Sequence, residues 1–289
     1  MNRTREPELI LASRPTVDGA GVRLRRGVGH DRRLISRFDP FLLLDDIHST
    51  DPDDYLAGFP WHPHRGIETV TYVLRGEVAH GDSLGNHGVI GSGDVQWMTA
   101  GGGIVHQEMP RRFRGDMRGL QLWVNLPASR KMMPPRYRSV AAGSVPECRL
   151  EGGSIVRVIA GRCNGCEGPV ADIVRSPEYL EVAVPPGGEF THPTAPGHTV
   201  FAYTLEGEGL FGPGSSRQTP ADHVVLYGAG DLVTVRGGPG GVRFLLFAGA
   251  PLREPVAWRG PIVMNTEEEL DLAFREYRSG TFLKSSPHP

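Results

Sequence analysis

Trp61-His62-Pro63-His64-Arg65-Gly66-Ile67-Glu68-Thr69-Val70-Thr71-Tyr72-Val73-Leu74-Arg75-Gly76-Glu77 combines two signals. Its second half is a β-branched and aromatic run that ends at the turn Arg75-Gly76-Glu77, as a buried strand should. Its first half sets two histidines two residues apart. Side chains alternate faces along a strand, so His62 and His64 project to the same side. Further along, Ile104-Val105-His106-Gln107-Glu108-Met109 repeats the device, with His106 and Glu108 on one face. Two such strands side by side can hold one metal ion. Three imidazoles and a carboxylate suit iron, zinc, copper or nickel better than calcium or magnesium, which prefer oxygen ligands only. The spacing therefore predicts a mononuclear transition-metal site built from His62, His64, His106 and Glu108. One His-x-His alone could serve a local hydrogen bond; the second same-face pair is what argues for a metal.

Around these motifs, Gly58, Gly66, Gly76, Gly91, Gly93 and Gly101-Gly102-Gly103 punctuate short apolar strands. Strands are expected at residues 69–74, at Gly93-Asp94-Val95-Gln96-Trp97-Met98 and at Leu120-Gln121-Leu122-Trp123-Val124. The chain of 289 residues has 39 Gly and 25 Pro spread between apolar runs, which argues for many turns and an all-β fold of one large or two ordinary domains. A net charge of -2 gives no general attraction to nucleic acid or to an anionic membrane.

After Leu126-Pro127 the pattern lapses into Arg130-Lys131-Met132-Met133-Pro134-Pro135-Arg136-Tyr137, read as an inter-domain linker that runs to about residue 145. The second half restarts the programme. Tyr203-Thr204-Leu205-Glu206-Gly207-Glu208 echoes Tyr72-Val73-Leu74-Arg75-Gly76-Glu77, and Gly230-Asp231 echoes Gly93-Asp94. In that register the positions of His62, His64 and Glu68 become Pro193, Ala195 and Thr199, and those of His106 and Glu108 become Arg243 and Leu245. The metal therefore belongs to the first domain, and His192 and His198 read as loop histidines. The domains are expected at 1–135, with metal, and at 136–289, without metal ligands.

Thr266-Glu267-Glu268-Glu269 is a capping box, and Leu270, Ala273, Phe274 and Tyr277 share one helical face, so a packing helix docked between domains is expected near the end. Three cysteines, Cys148, Cys163 and Cys166, make no disulfide framework and read as reduced thiols; Cys163-Asn164-Gly165-Cys166 has redox or zinc spacing but no second Cys or His pair nearby in sequence. Residues 1–16 are polar and charged with no apolar h-region, and no run of ~18 apolar residues occurs, so a cytoplasmic protein is expected. The arginines between 22 and 37 read as outward-facing on solvated strands. Asp45 and Asp46, at the end of Pro40-Phe41-Leu42-Leu43-Leu44, read as groups that orient neighbours or cap a turn.

With these residues in place, the chain resembles the pirin family of the cupin superfamily. The resemblance rests on Pro40-Phe41-Leu42-Leu43-Leu44-Asp45, on His62-Pro63-His64-Arg65-Gly66-Ile67-Glu68-Thr69-Val70, on Gly93-Asp94-Val95-Gln96-Trp97-Met98-Thr99-Ala100-Gly101 and on His106-Gln107-Glu108-Met109-Pro110. It continues through Pro134-Pro135-Arg136-Tyr137 into Gly260-Pro261-Ile262-Val263-Met264-Asn265-Thr266. It implies two tandem jelly-roll-like cupin β-barrels and a ferrous iron (Fe2+) in the N-terminal barrel, bound by His62, His64, His106 and Glu108; the ligand set also serves nickel, copper, manganese or zinc. Cupins in general take their carboxylate from the first motif, where this chain offers Glu68. The pirin resemblance implies Glu108 instead, with Glu68 behind it.

Two functions follow from the resemblance. One is a quercetin 2,3-dioxygenase that opens a flavonol or related aromatic substrate with O2, Glu108 accepting the flavonol hydroxyl proton. The other is a redox-responsive regulator that binds a transcription factor or metabolic enzyme as a protein partner. Its charged contact surface would come from the arginines of 23–37 with Arg111, Arg112, Arg114 and Arg118. A structural metal is the third reading; open coordination positions argue against it.

Overall fold

A computed structural model describes residues 3–171 and 173–284. By contact the chain divides into two compact units, each drawing on separate stretches. One comprises Pro15–Arg26, Phe41–Ala142 and the chain from Leu252 on; the other comprises the chain up to Arg14, Gly27–Pro40 and Gly143–Pro251. The single division at 135/136 expected from the sequence does not describe this, because both ends of the chain are exchanged: the N-terminal strand Pro7–Ala12 pairs with His223–Tyr227 of the second barrel. No helix is long and apolar enough to cross a membrane among the described residues.

The first unit is a two-sheet β-barrel. Its larger sheet orders the strands Arg136–Val140, Val95–Thr99, Ile67–Arg75, Met117–Asn125, Phe41–Ser49, Val22–Val28 and Arg14–Asp18. Its smaller sheet orders Phe59–His64, Ile104–Pro110, Val78–Asp82 and His87–Ile90. Val22, Leu24, Ile47, Val73 and Met117 of the larger sheet pack on Val78 and Ile90 of the smaller, so the apolar faces close on one core. The expected linker is partly strand. Arg136–Val140 pairs with Val95–Thr99 at the sheet edge, where the preceding prolines do no harm to the ladder.

The helix Glu267–Arg278 carries the expected capping box at Thr266 and Glu269. Leu270 and Ala273 are buried against Ala257, Ile262, Met264 and Phe282 of the same unit, with Phe274 half-buried beside them; Tyr277 is exposed. Asp45 and Asp46, which follow Leu44, end in ion pairs. Arg26 grips both oxygens of Asp45 at 2.7 Å, and Arg118 meets Asp46 with both side chains 1% exposed.

The second unit holds a nine-stranded sheet with a core that includes Val156, Leu180, Val182, Phe190, Phe211, Phe244 and Leu246. Arg243, matched to His106 in the sequence register, pairs with Glu181 and Glu206. It lies where its strand pairs with Glu178–Val184, whereas the edge strand Glu189–Pro193 pairs with residues 232–236, so the two halves do not superpose in that register. Two expectations are corrected here. His192 is no loop histidine: it lies in the strand Glu189–Pro193 and is 3% exposed. The thiols are not all free either. Cys148 and Cys166 are joined in a disulfide, because the hairpin of Arg162–Cys163 and Cys166–Glu167 carries Cys166 back to the strand Glu147–Arg149.

Candidate metal centre

The strand Phe59–His64 is the edge of the smaller sheet, a position where Pro63 needs no ladder donor. It runs antiparallel to Ile104–Pro110 with His62 directly opposite His106 and His64 opposite Ile104. That register turns the two same-face motifs into one cluster. The ring centroids lie 4.8 Å apart for His62 and His64, 4.5 Å for His62 and His106, and 5.0 Å for His64 and His106. The ligating nitrogens of the three all lie within 4.8 Å of one another.

The hydrogen bonds fix which nitrogen each ring offers. His62 Nδ1 is 2.8 Å from the Pro60 carbonyl and His64 Nδ1 is 3.0 Å from the Pro261 carbonyl, so both Nδ1 atoms carry the proton and donate it. Both Nε2 atoms then keep their lone pairs, yet they sit 3.0 Å apart. His106 Nε2 is buried with no hydrogen-bond partner. Three converging lone pairs, one orphaned in the protein interior, fit a bound cation. Burial, then the neighbouring rings, holds His64 and His106 well below the ordinary imidazole pKa, so both rings are neutral at neutral pH.

His106 completes its tautomer through Nδ1, 3.3 Å from the Tyr137 hydroxyl, which accepts. Tyr137 stands on the edge strand Arg136–Val140 and stacks on His80 at 6.0 Å. Beside this pair opens a cleft of about 390 Å³ lined by His80, Asn86, His87, Tyr137 and Ser139. The Tyr137→Phe variant should fold normally and bind metal roughly 10-fold more weakly, the usual cost of losing an outer partner of a ligating histidine. A chelator competition showing unchanged affinity would remove Tyr137 from the site. On another side, Trp123 meets His64 edge to face at 5.0 Å and Trp258 packs on Trp123 at 6.0 Å.

The carboxylates are placed differently. Glu108 shares the inward face of its strand with His106, past a register shift, and is 4% exposed. Thr71 Oγ1 donates to its Oε1 at 2.6 Å and Gln121 Nε2 donates to its Oε2 at 2.8 Å. The cluster of close ligating atoms among the described residues contains the three histidines and not Glu108. Burial pushes the Glu108 carboxyl up, against the pull of Thr71, His62 and Gln121. A small cavity of about 20 Å³ borders Glu108, Thr71 and Gln121. Gly66 takes φ +80° and ends the histidine strand, and Glu68 lies on the next strand, in the larger sheet, with its Oε1 accepting from Thr99 Oγ1 at 2.7 Å. Counting parity across Gly66 therefore says nothing about the side Glu68 faces.

No motif or spacing points to Lys131. It is 1% exposed, and its ammonium donates to Gly66 O at 2.9 Å, Asn125 Oδ1 at 2.8 Å and Val263 O at 3.0 Å. These bonds tie down the turn at Gly66, where a Cβ would lie 1.9 Å from Val263 O. A lysine amid methionines and prolines shows no periodicity, so only the fold reveals its task.

A β-barrel that presents three histidines from adjacent antiparallel strands, followed by a second barrel with no such cluster among the described residues, defines a two-domain cupin protein. Residues 21–124 match the sequence pattern of pirin, and residues 179–283 match that of the pirin C-terminal cupin domain. The chain belongs to the pirin family. Human pirin is 40% identical over 283 residues, 96% of this chain and 94% of its own. A Pseudomonas aeruginosa protein provisionally named a quercetin 2,3-dioxygenase is 42% identical over 284 residues, 97% of this chain and 99% of its own. The crystal structure of a quercetin 2,3-dioxygenase from Acinetobacter baumannii aligns at a TM-score of 0.89 and 32% identity, covering 97% of this chain and 99% of that one.

Proposed function

We propose that this chain is an oxygenase of the quercetin 2,3-dioxygenase type, with ferrous iron held by His62, His64 and His106 and with Glu108 as the remaining protein ligand and base. The observation that carries the reading is the convergence of three unprotonated Nε2 atoms beside a buried carboxylate. The naming of two similar proteins as quercetin 2,3-dioxygenases gives it the substrate class. An iron bound there supplies a Lewis acid and an electron-transfer centre for dioxygen.

The protein's own part is to hold and move a proton. Burial raises the proton affinity of Glu108, which suits it to take the hydroxyl proton of a flavonol at Oε1 or Oε2, leaving the flavonolate as an anion. Thr71 and Gln121 hold the carboxylate in place until then and release one oxygen when it is protonated. His62 is the half-buried member of the cluster, so the substrate approaches on its side, next to exposed Trp61.

Glu108→Gln keeps both neighbours but removes the base. Turnover of quercetin should fall about 10²- to 10⁴-fold, the range of general acid–base contributions, with the fold intact. Full activity in that variant would exclude the role. The decisive experiment measures metal content after purification and then quercetin consumption with ferrous ion, with and without oxygen. Bound iron with oxygen-dependent turnover supports the proposal; bound iron with no turnover favours the regulatory reading. That second reading has less to build on than the arginine-rich sequence suggests. Arg118 is buried on Asp46, Arg26 is paired with Asp45 and Asp18, and Arg37 with Glu8, so these arginines are committed within the protein.

A further inference from the structure

Cys163-Asn164-Gly165-Cys166 plays no part in the proposed oxygenase, and the structure surrounds it with the partners that its sequence neighbourhood lacks. Asn164 and Gly165 take φ 45° and 82°, the left-handed pair that closes a two-residue hairpin, so Cys163 and Cys166 stand opposite each other. Cys166 is bonded to Cys148, with a Cα separation of 6.5 Å, and Cys148 Sγ lies 3.3 Å from the Cys163 carbonyl. Cys163 keeps a free, buried thiol. The ring of His192 neighbours the Cys163 side chain and hydrogen-bonds to Glu178, whose Oε2 lies 3.3 Å from His192 Nε2. Phe190 stacks against that ring at 6.0 Å and fixes its plane.

Three sulfurs and one imidazole thus stand as neighbours in pairs around this hairpin in the second barrel, two of the sulfurs on the hairpin itself. Such a donor set closes a tetrahedral zinc site, and a carboxylate behind the histidine is the usual support for a zinc-bound ring. In the disulfide form two of the four donors are tied to each other, so the set is closed to a metal.

We propose that reduction of the Cys148–Cys166 disulfide opens a zinc site formed by Cys148, Cys163, Cys166 and His192, giving the second barrel a disulfide form and a zinc form. A small-molecule thiol is the reductant: two thiols become one disulfide, and Cys148 and Cys166 each gain a proton. Zinc then displaces the three cysteine protons and takes the imidazole lone pair as its fourth ligand. This site is independent of the three-histidine centre and contains no oxygen-activating position, so its metal braces the barrel.

Cobalt(II) on the full chain tests the proposal, because thiolate-to-cobalt charge transfer reports sulfur ligands that the histidine centre cannot provide. Protein reduced and freed of reductant without oxygen should bind about one more cobalt ion than untreated protein, with charge-transfer bands and the strong visible absorption of tetrahedral cobalt. Zinc should displace that cobalt, and Cys166→Ser, at a half-buried position, should weaken or abolish the bands. Equal cobalt uptake before and after reduction, or uptake with no sulfur bands, would overturn the proposal whatever the quercetin assay shows.

Discussion

In His64→Ala, metal content should drop from about one ion per chain to below about a tenth, and quercetin turnover should disappear with it, because the close cluster of three imidazoles loses a member and only two imidazoles and Glu108 remain. His64 is the most informative of the three. It is buried, its Nδ1 is anchored on the Pro261 carbonyl, and its Nε2 faces that of His62 at 3.0 Å. Truncation also leaves that carbonyl without its donor, a stability cost of about 1–3 kcal/mol. The exposed His87→Ala of the same unit should change neither quantity. Metal at full occupancy in His64→Ala would move the centre elsewhere.

The same rings set a pH dependence. His64 and His106 titrate well below the ordinary imidazole value when folded, so below about pH 6.5 the unfolded chain takes up protons that the folded apoprotein refuses. Folded stability of the metal-free protein therefore declines as pH falls through and below that value. Bound metal, which competes with protons for the same nitrogens, should lessen the decline. Thermal melts with and without metal at several pH values would measure both.

How much of this can be read from the chain follows from the range of each signal. Alternation along a strand is local, so the shared facing of His62 and His64, and of His106 and Glu108, is legible in the residue spacing alone. So is the capping box at Thr266, since it rests on a short spacing. Non-local features are not legible in this way. The pairing of Pro7–Ala12 with His223–Tyr227 spans most of the chain and has no periodic signature. Cys148 and His192 reach the Cys163–Cys166 hairpin only through sheet topology, so in sequence the motif stands alone. Glu68 shows a third kind of limit. It shares the strand parity of His64, but the left-handed turn at Gly66 moves it to the other sheet.

The second large effect is on stability. Arg118 and Asp46 lie on neighbouring strands, Met117–Asn125 and Phe41–Ser49, with both side chains 1% exposed and Arg118 Nη2 at 2.5 Å from Asp46 Oδ2. Arg118→Ala strands a carboxylate in the interior and should cost about 3–5 kcal/mol. That is a large fraction of the ~5–15 kcal/mol that holds a typical domain together. The strand that carries Arg118 also delivers Gln121 to Glu108 and Trp123 to His64, so metal retention should fall with stability rather than independently of it. A paired replacement, Arg118→Met with Asp46→Leu, removes both charges and keeps the volume, and it should recover most of the loss, as apolar substitutes for buried ion pairs commonly do. Denaturant titration of the two single variants and the pair separates the alternatives. If Arg118→Ala alone cost less than about 1 kcal/mol, in the range of an exposed pair, the interior would be more hydrated there than the packing indicates.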